Sequence, residues 1–175
     1  MEQIVVKMAD CAISDAPGQV LVTFALGSCI GLSAYDPEAQ LGGLLHFMLP
    51  ESAIDRDRAR ASPFMFADTG IPMLLDRLYA RGAVKRRLLL HAAGAARMCD
   101  PNGVFEIGKR NHLAVRRILW KAGVLLHGEA VGGAESRTMR LEIGTGRVWF
   151  HQGGSVCELA PPVARKGGSS WPTGS

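Results

Sequence analysis

Three residues in the first third of the chain carry side chains suited to acyl-transfer chemistry: the thiol of Cys29, the imidazole of His46 and the hydroxyl of Thr23. Cysteine attack on a carbonyl needs a thiolate, a base to generate it and donors to receive the developing oxyanion. Cys29 and His46 supply the first two. Backbone N–H groups of the Gly27-Ser28-Cys29 turn are candidates for the third, with Gly27 and Ser28 as the turn residues. A further group must orient the imidazole, and Thr23 is the local candidate. Its role is mainly geometric, because a hydroxyl cannot stabilise imidazolium as a carboxylate would. The competing reading is bland: a free cysteine is most often a small buried hydrophobe, and a histidine between Leu45 and Phe47 can be tethered to backbone and inert.

The elements that must position these groups follow from pattern. Val20 to Leu26 is apolar and β-branched, which predicts a strand delivering the chain to Gly27. Ile30 to Tyr35 reads as the next strand, Asp36-Pro37-Glu38-Ala39 as a type I turn, and Gln40 to Leu49 as the returning partner. If Asp36 and Ala39 close that turn, Cys29 falls directly opposite His46, with Cβ atoms about 4.5–5.5 Å apart. A slip of one residue would put the two side chains on opposite faces.

Beyond the hairpin, Glu51 to Ala61 is polar and reads as a loop. Ser62-Pro63 has the composition of a helix start, and Ile71, Leu74, Leu75 and Leu78 give that helix a buried face. Pro72 implies either a kink or a start near Thr69. Leu88 to Ala92 predicts a buried strand, and Gly94 to Phe105 a loop. Val115, Ile118, Leu119 and Ala122 place a second helix near Lys109 to Lys121, stopped by Gly123. Arg110, Arg116 and Arg117 lie on its polar face and are candidates for partner docking. Val124 to Val131 predicts a strand, and Arg137 to Ile143 with Arg147 to Gln152 a hairpin about Gly144-Thr145-Gly146. This order predicts an α+β domain with mostly antiparallel sheet flanked by helices over residues 1–160, and a flexible tail over 161–175.

Composition narrows the function. The chain has 175 residues, 47% hydrophobic and 21% charged, the values of an ordinary globular domain. A formal net charge of +4 is too small to argue for nucleic-acid binding. No apolar run reaches the roughly 18 residues of a membrane span, and the N-terminus lacks a signal-peptide pattern, so neither membrane insertion nor export is expected and the cytoplasm is the expected compartment. The four cysteines, at 11, 29, 99 and 157, show no metal-binding or disulfide spacing. Val131-Gly132-Gly133 and Gly144-Thr145-Gly146 match neither a P-loop nor a dinucleotide fingerprint. No cofactor or metal is expected.

Taken together, Leu26-Gly27-Ser28-Cys29-Ile30-Gly31, Tyr35-Asp36-Pro37 and His46-Phe47-Met48-Leu49-Pro50 resemble the chemoreceptor glutamine deamidases, the CheD family of bacterial chemotaxis. The resemblance extends to Ala67-Asp68-Thr69-Gly70-Ile71-Pro72, Ile107-Gly108-Lys109-Arg110-Asn111, Val131-Gly132-Gly133 and Ser136-Arg137. It implies packed mixed β-sheets flanked by helices, similar to the catalytic domain of the cytotoxic necrotizing factor toxins. It also implies Cys29 as nucleophile, His46 as general base and acid, and Thr23 as the orienting residue. The implied reaction converts glutamines of methyl-accepting chemotaxis receptors to glutamates with release of ammonia, without a cofactor. Family members also hydrolyse receptor methyl esters, and some bind a CheC-type phosphatase; a regulatory module docking on such a phosphatase or on a receptor is the alternative function. Where many members have Lys-Ile-Phe-Gly-Gly-Ala, this chain has Leu90-His91-Ala92-Ala93-Gly94-Ala95, a departure expected to reshape a loop.

Overall fold

The computed structural model describes residues 1–97 and 106–163. Among them the elements run β1 (Glu2–Val5), β2 (Asp10–Ser14), β3 (Gln19–Leu26), β4 (Ile30–Asp36), β5 (Leu41–Phe47), α1 (Arg56–Ala61), α2 (Ala67–Ala80), β6 (Leu89–Gly94), α3 (Ile107–Ala122), β7 (Leu126–Val131), β8 (Arg137–Glu142), β9 (Val148–Gln152) and β10 (Ser155–Ala160). They make two five-stranded sheets, ordered β1-β3-β8-β9-β10 and β2-β5-β4-β6-β7. Each sheet is mixed: β1 runs parallel to β3 and β6 parallel to β7, and the remaining pairs are antiparallel. The α+β class is therefore as the element order indicated.

Strand alternation explains the layering. Ile30, Leu32 and Ala34 of β4 join Leu45 and Phe47 of β5 in a core with Ile71, Leu74 and Leu78 of α2 and Val115 and Leu119 of α3. The opposite face of the same strands presents Tyr35 and Leu44 to Leu21, Met139 and Leu141 of the first sheet. The second sheet is thus covered on both sides, and every residue of β4 and β5 is buried. Such doubly covered strands read as near-continuous apolar runs. Gly31 and Gly42 let the sheets close: a Cβ at Gly31 would meet Leu26, Met139 and Thr23 side chains at 3.0–3.2 Å, and one at Gly42 would meet Ile143 at 2.8 Å.

The hairpin register differs from the expectation. Gly31, not Cys29, stands opposite His46, and Asp36 pairs with Leu41. The turn is longer because Gln40 adopts a left-handed φ of 48°, while the Asp36 carboxylate accepts from the Glu38 and Ala39 N–H groups. A shift of two residues keeps parity, so the face assigned to His46 is unchanged.

Residues 52–61, expected as loop, contain a 3₁₀ turn at Ser52–Ile54 and helix α1, capped by Asp55 accepting from the Arg58 N–H. Helix α2 begins at Ala67, after a 3₁₀ turn at Pro63–Met65, and holds Pro72 within it. Strand β10 was not anticipated; Gly153 and Gly154, with φ of 54° and 81°, turn the chain into it. The Leu90–Ala95 departure lies in strand β6 and its exit, not in a loop. Residues 98–105 of the expected loop and 164–175 of the expected tail lie outside the described residues. Among the described residues no helix is long and apolar enough to cross a membrane.

Candidate active site

Between β3 and β4 the chain passes from the first sheet to the second through residues 27–29. The β3–β8 register breaks between Thr23 and Leu26. Ala25 there takes a left-handed φ of 56°, and the Gly27 N–H folds back onto the Ala25 carbonyl at 3.0 Å. Non-glycine residues held in this region store strain, which clusters at functional sites. The exit of β6 backs the turn: Ala95 N–H donates to the Cys29 carbonyl at 2.9 Å and Ala96 N–H to the Gly27 carbonyl at 2.7 Å. Gly94 has φ of 123°, and a Cβ on it would lie 2.1 Å from the Cys29 carbonyl oxygen, so only glycine fits. Cys29 itself is partly buried, its side chain packed at the edge of the inter-sheet core.

Thr23 reaches across from β3 to β5. Its Oγ1 lies 2.7 Å from His46 Nδ1 and 2.8 Å from the Val6 carbonyl oxygen. A hydroxyl has one proton, and a carbonyl can only accept; the Thr23 proton therefore goes to Val6, and Nδ1–H donates to Thr23 Oγ1. The Nε2 atom is left with its lone pair. It is buried and has no hydrogen-bond partner among the described residues, the Cys29 thiol included. Burial pushes the His46 pKa down to about 4, so the imidazole is neutral near pH 7. Burial also raises the Cys29 pKa above its ordinary value, with its own backbone N–H pulling the other way. The resting pair is a thiol and a neutral imidazole, which can act by general-base transfer rather than as a standing ion pair.

The structure thus brings Thr23 and His46 into contact and sets Cys29 at the head of the strand adjoining His46. The Gly27 N–H, a candidate oxyanion donor, is engaged with Ala25; no backbone carbonyl among the described residues takes the Ser28 or Cys29 N–H, and the latter acts on its own thiol. Arg116 pairs with Glu129 and Arg117 with Glu51, both at the surface, and Arg110 is exposed on the same helix. None of these bonds runs to Thr23, Cys29 or His46. The sequence reading overlooked the role of Asn111, which is fully buried and whose Nδ2 donates to the carbonyls of Ser28 and Met48, both at 2.9 Å. The signal was present: an asparagine at a core position of an amphipathic helix, in register with Ala114, Val115 and Leu119.

Fold and site together define a two-sheet α+β protein with a half-buried thiol at the head of the strand that adjoins a threonine-held neutral imidazole. Residues 48–152 match the family model described as CheD chemotactic sensory transduction. Over 169 residues the chain is 62% identical to a probable chemoreceptor glutamine deamidase CheD of Solibacter usitatus, covering 97% of this chain and 100% of that protein. It is 45% identical to a protein named probable chemoreceptor glutamine deamidase CheD 1 of Syntrophus aciditrophicus, covering 91% and 100%. It is 48% identical to one named probable chemoreceptor glutamine deamidase CheD 2 of Anaeromyxobacter dehalogenans, again covering 91% and 100%. The chain belongs to the CheD family.

Proposed function

We propose that this chain is a protein-glutamine deamidase acting on chemoreceptors. In the first half-reaction His46 Nε2 takes the Cys29 proton as sulfur attacks the carboxamide carbon of a receptor glutamine. The tetrahedral oxyanion is received by the Ser28 and Cys29 N–H groups. The carbon–nitrogen bond then breaks, the imidazolium gives its proton to the departing nitrogen, and ammonia leaves. In the second half-reaction the imidazole takes a proton from water as its oxygen attacks the thioester. Collapse expels sulfur, which recovers its proton, and glutamate remains. No cofactor enters.

One observation carries this reading above the others: the Val6–Thr23–His46 hydrogen-bond chain, which presents Nε2 as an unprotonated acceptor. The names of the relatives supply the substrate class, and receptor cytoplasmic helices as substrate put the work in the cytoplasm. The Arg110, Arg116 and Arg117 face steers acidic receptor segments; charge reversal at 116 and 117 should slow association and flatten its salt dependence.

Receptor cytoplasmic fragments incubated with wild type and with Cys29→Ala, then analysed by peptide mass spectrometry for Gln-to-Glu conversion, test the proposal. Conversion by wild type alone is expected. A cognate receptor left unconverted by wild type would instead favour the regulatory module, with a CheC-type phosphatase as the partner to try.

A further inference from the structure

Helix α3 touches the catalytic region with one face of its first turns. Gly108 lies against the backbone of Ala95, where a Cβ would come within 2.6 Å of the carbonyl oxygen. Ala95 in turn holds the Cys29 carbonyl. Three residues further along, on the same helix face, Asn111 gives both Nδ2 protons to backbone carbonyls, one on Ser28 and one on Met48. Ser28 precedes the nucleophile, and Met48 follows the base by two residues. One side chain therefore bridges the two chain segments that carry Cys29 and His46 just beyond Ile30 and Phe47, where the β4–β5 ladder ends.

The orientation of this carboxamide is unambiguous, because the flipped form would set Oδ1 against two carbonyl oxygens. Its Oδ1 is buried and without a hydrogen-bond partner among the described residues. An unsatisfied buried acceptor destabilises the fold, and a leucine, alike in branching but larger, would remove it only by leaving the Ser28 and Met48 carbonyls without this donor. What the asparagine adds over an apolar residue is this tie between the two segments.

We propose that Asn111 is a positioning residue that sets the spacing between the Cys29 thiol and the His46 imidazole. It acts through the Ser28 and Met48 carbonyls and touches neither substrate nor reacting atoms. This rests on the deamidase reading for its catalytic consequence, but the clamp itself is testable without a receptor.

Two variants decide it. In Asn111→Asp the ionised carboxylate repels both carbonyls, whereas the protonated acid donates to one; burial raises its pKa, so protonation returns within the assay range. At pH 8 this variant should lose about 30-fold in kcat with KM within about twofold, the scale expected when a catalytic group is misplaced by an ångström. Its activity relative to wild type should recover as the pH is lowered to 6. Asn111→Leu should lose as much at every pH, with no recovery. Peptide-resolved alkylation of Cys29 by iodoacetamide, measured across the same pH range, should show the same contrast. Melting temperatures separate fold loss from misplacement. Folded variants with kcat and Cys29 alkylation within twofold of wild type would overturn the proposal. So would failure of both variants to fold, which would make Asn111 a requirement of the fold. Absence of deamidation by wild type, with the alkylation contrast intact, would instead sink the deamidase reading and leave the clamp standing.

Discussion

His46 on β5 and His91 on β6 are two buried histidines of one sheet that face the same inter-sheet space: they stand opposite Gly31 and Ser33, which lie two apart on β4. Both have their pKa pushed down to about 4, chiefly by burial, with the charge of His127 adding to the effect on His91. Each also has a buried ring nitrogen without a hydrogen-bond partner among the described residues. The difference is what holds the ring. Thr23 fixes the tautomer of His46 and leaves Nε2 bare, whereas His91 packs over Gly128 and a tilted His127 ring, and its unpartnered atom is Nδ1. A depressed pKa therefore marks burial alone, and what sets His46 apart is the hydroxyl at its Nδ1.

The widest gap between the two sites should appear on deletion. Cys29→Ala and His46→Ala should each reduce Gln-to-Glu conversion by at least about 1,000-fold, while His91→Gln should stay within about twofold of wild type in kcat; a comparable loss at His91 would erase the distinction. Next, Thr23→Val should lower kcat by about 10–100-fold and Thr23→Ser should restore most of it, because what matters is one hydroxyl in place to accept from Nδ1. Val and Ser behaving alike would remove the tautomer argument.

The state of the thiol sharpens the contrast further. With Cys29 raised above its ordinary pKa and His46 neutral, the Cys29 alkylation rate should climb about tenfold per pH unit from 6 to 8, following the thiolate fraction. A rate flat over that interval would mean a preformed thiolate–imidazolium pair. The smallest effect concerns stability. Both histidines titrate near 6.5 in the unfolded chain and near 4 when folded, so the unfolded state binds protons first. Their contribution is complete above pH 6.5 and is lost as pH falls from there towards 4. His91→Gln should make the decline in urea-unfolding stability over that range shallower, whatever it does to stability at pH 7.

Much of this was legible in the residues. The apolar run into Gly27 and the alternation through β4 and β5 give the hairpin, and the apolar spacing of Val115, Leu119 and Ala122 gives α3. The register was not, because a type I turn at Asp36 to Ala39 is locally sound. The longer turn rests on the left-handed Gln40, and tertiary bonds engage its first residue: Arg87 and the Val84 N–H grip the Asp36 carboxylate from the approach to β6. Helix α1 escaped notice because it buries none of its residues and so has no apolar stripe. Asn111 escaped because its partners are carbonyls, which any residue could have contributed. The glycine needed for close approach at the turn was read at Gly27, but the strictest demand falls on Gly94, distant in sequence and set against Cys29 only by the β4–β6 pairing.

The trio is divided between two layers, with Thr23 in one sheet, His46 in the other and Cys29 on the passage between them. Beside Thr23 in its sheet stands Met139 of β8. During synthesis, therefore, the sheet that holds Thr23 lacks its β8 neighbour until most of the polypeptide has been made. Until the two layers have met, Thr23 holds no imidazole, and appearance of activity in a refolding experiment should be among the last signals to return.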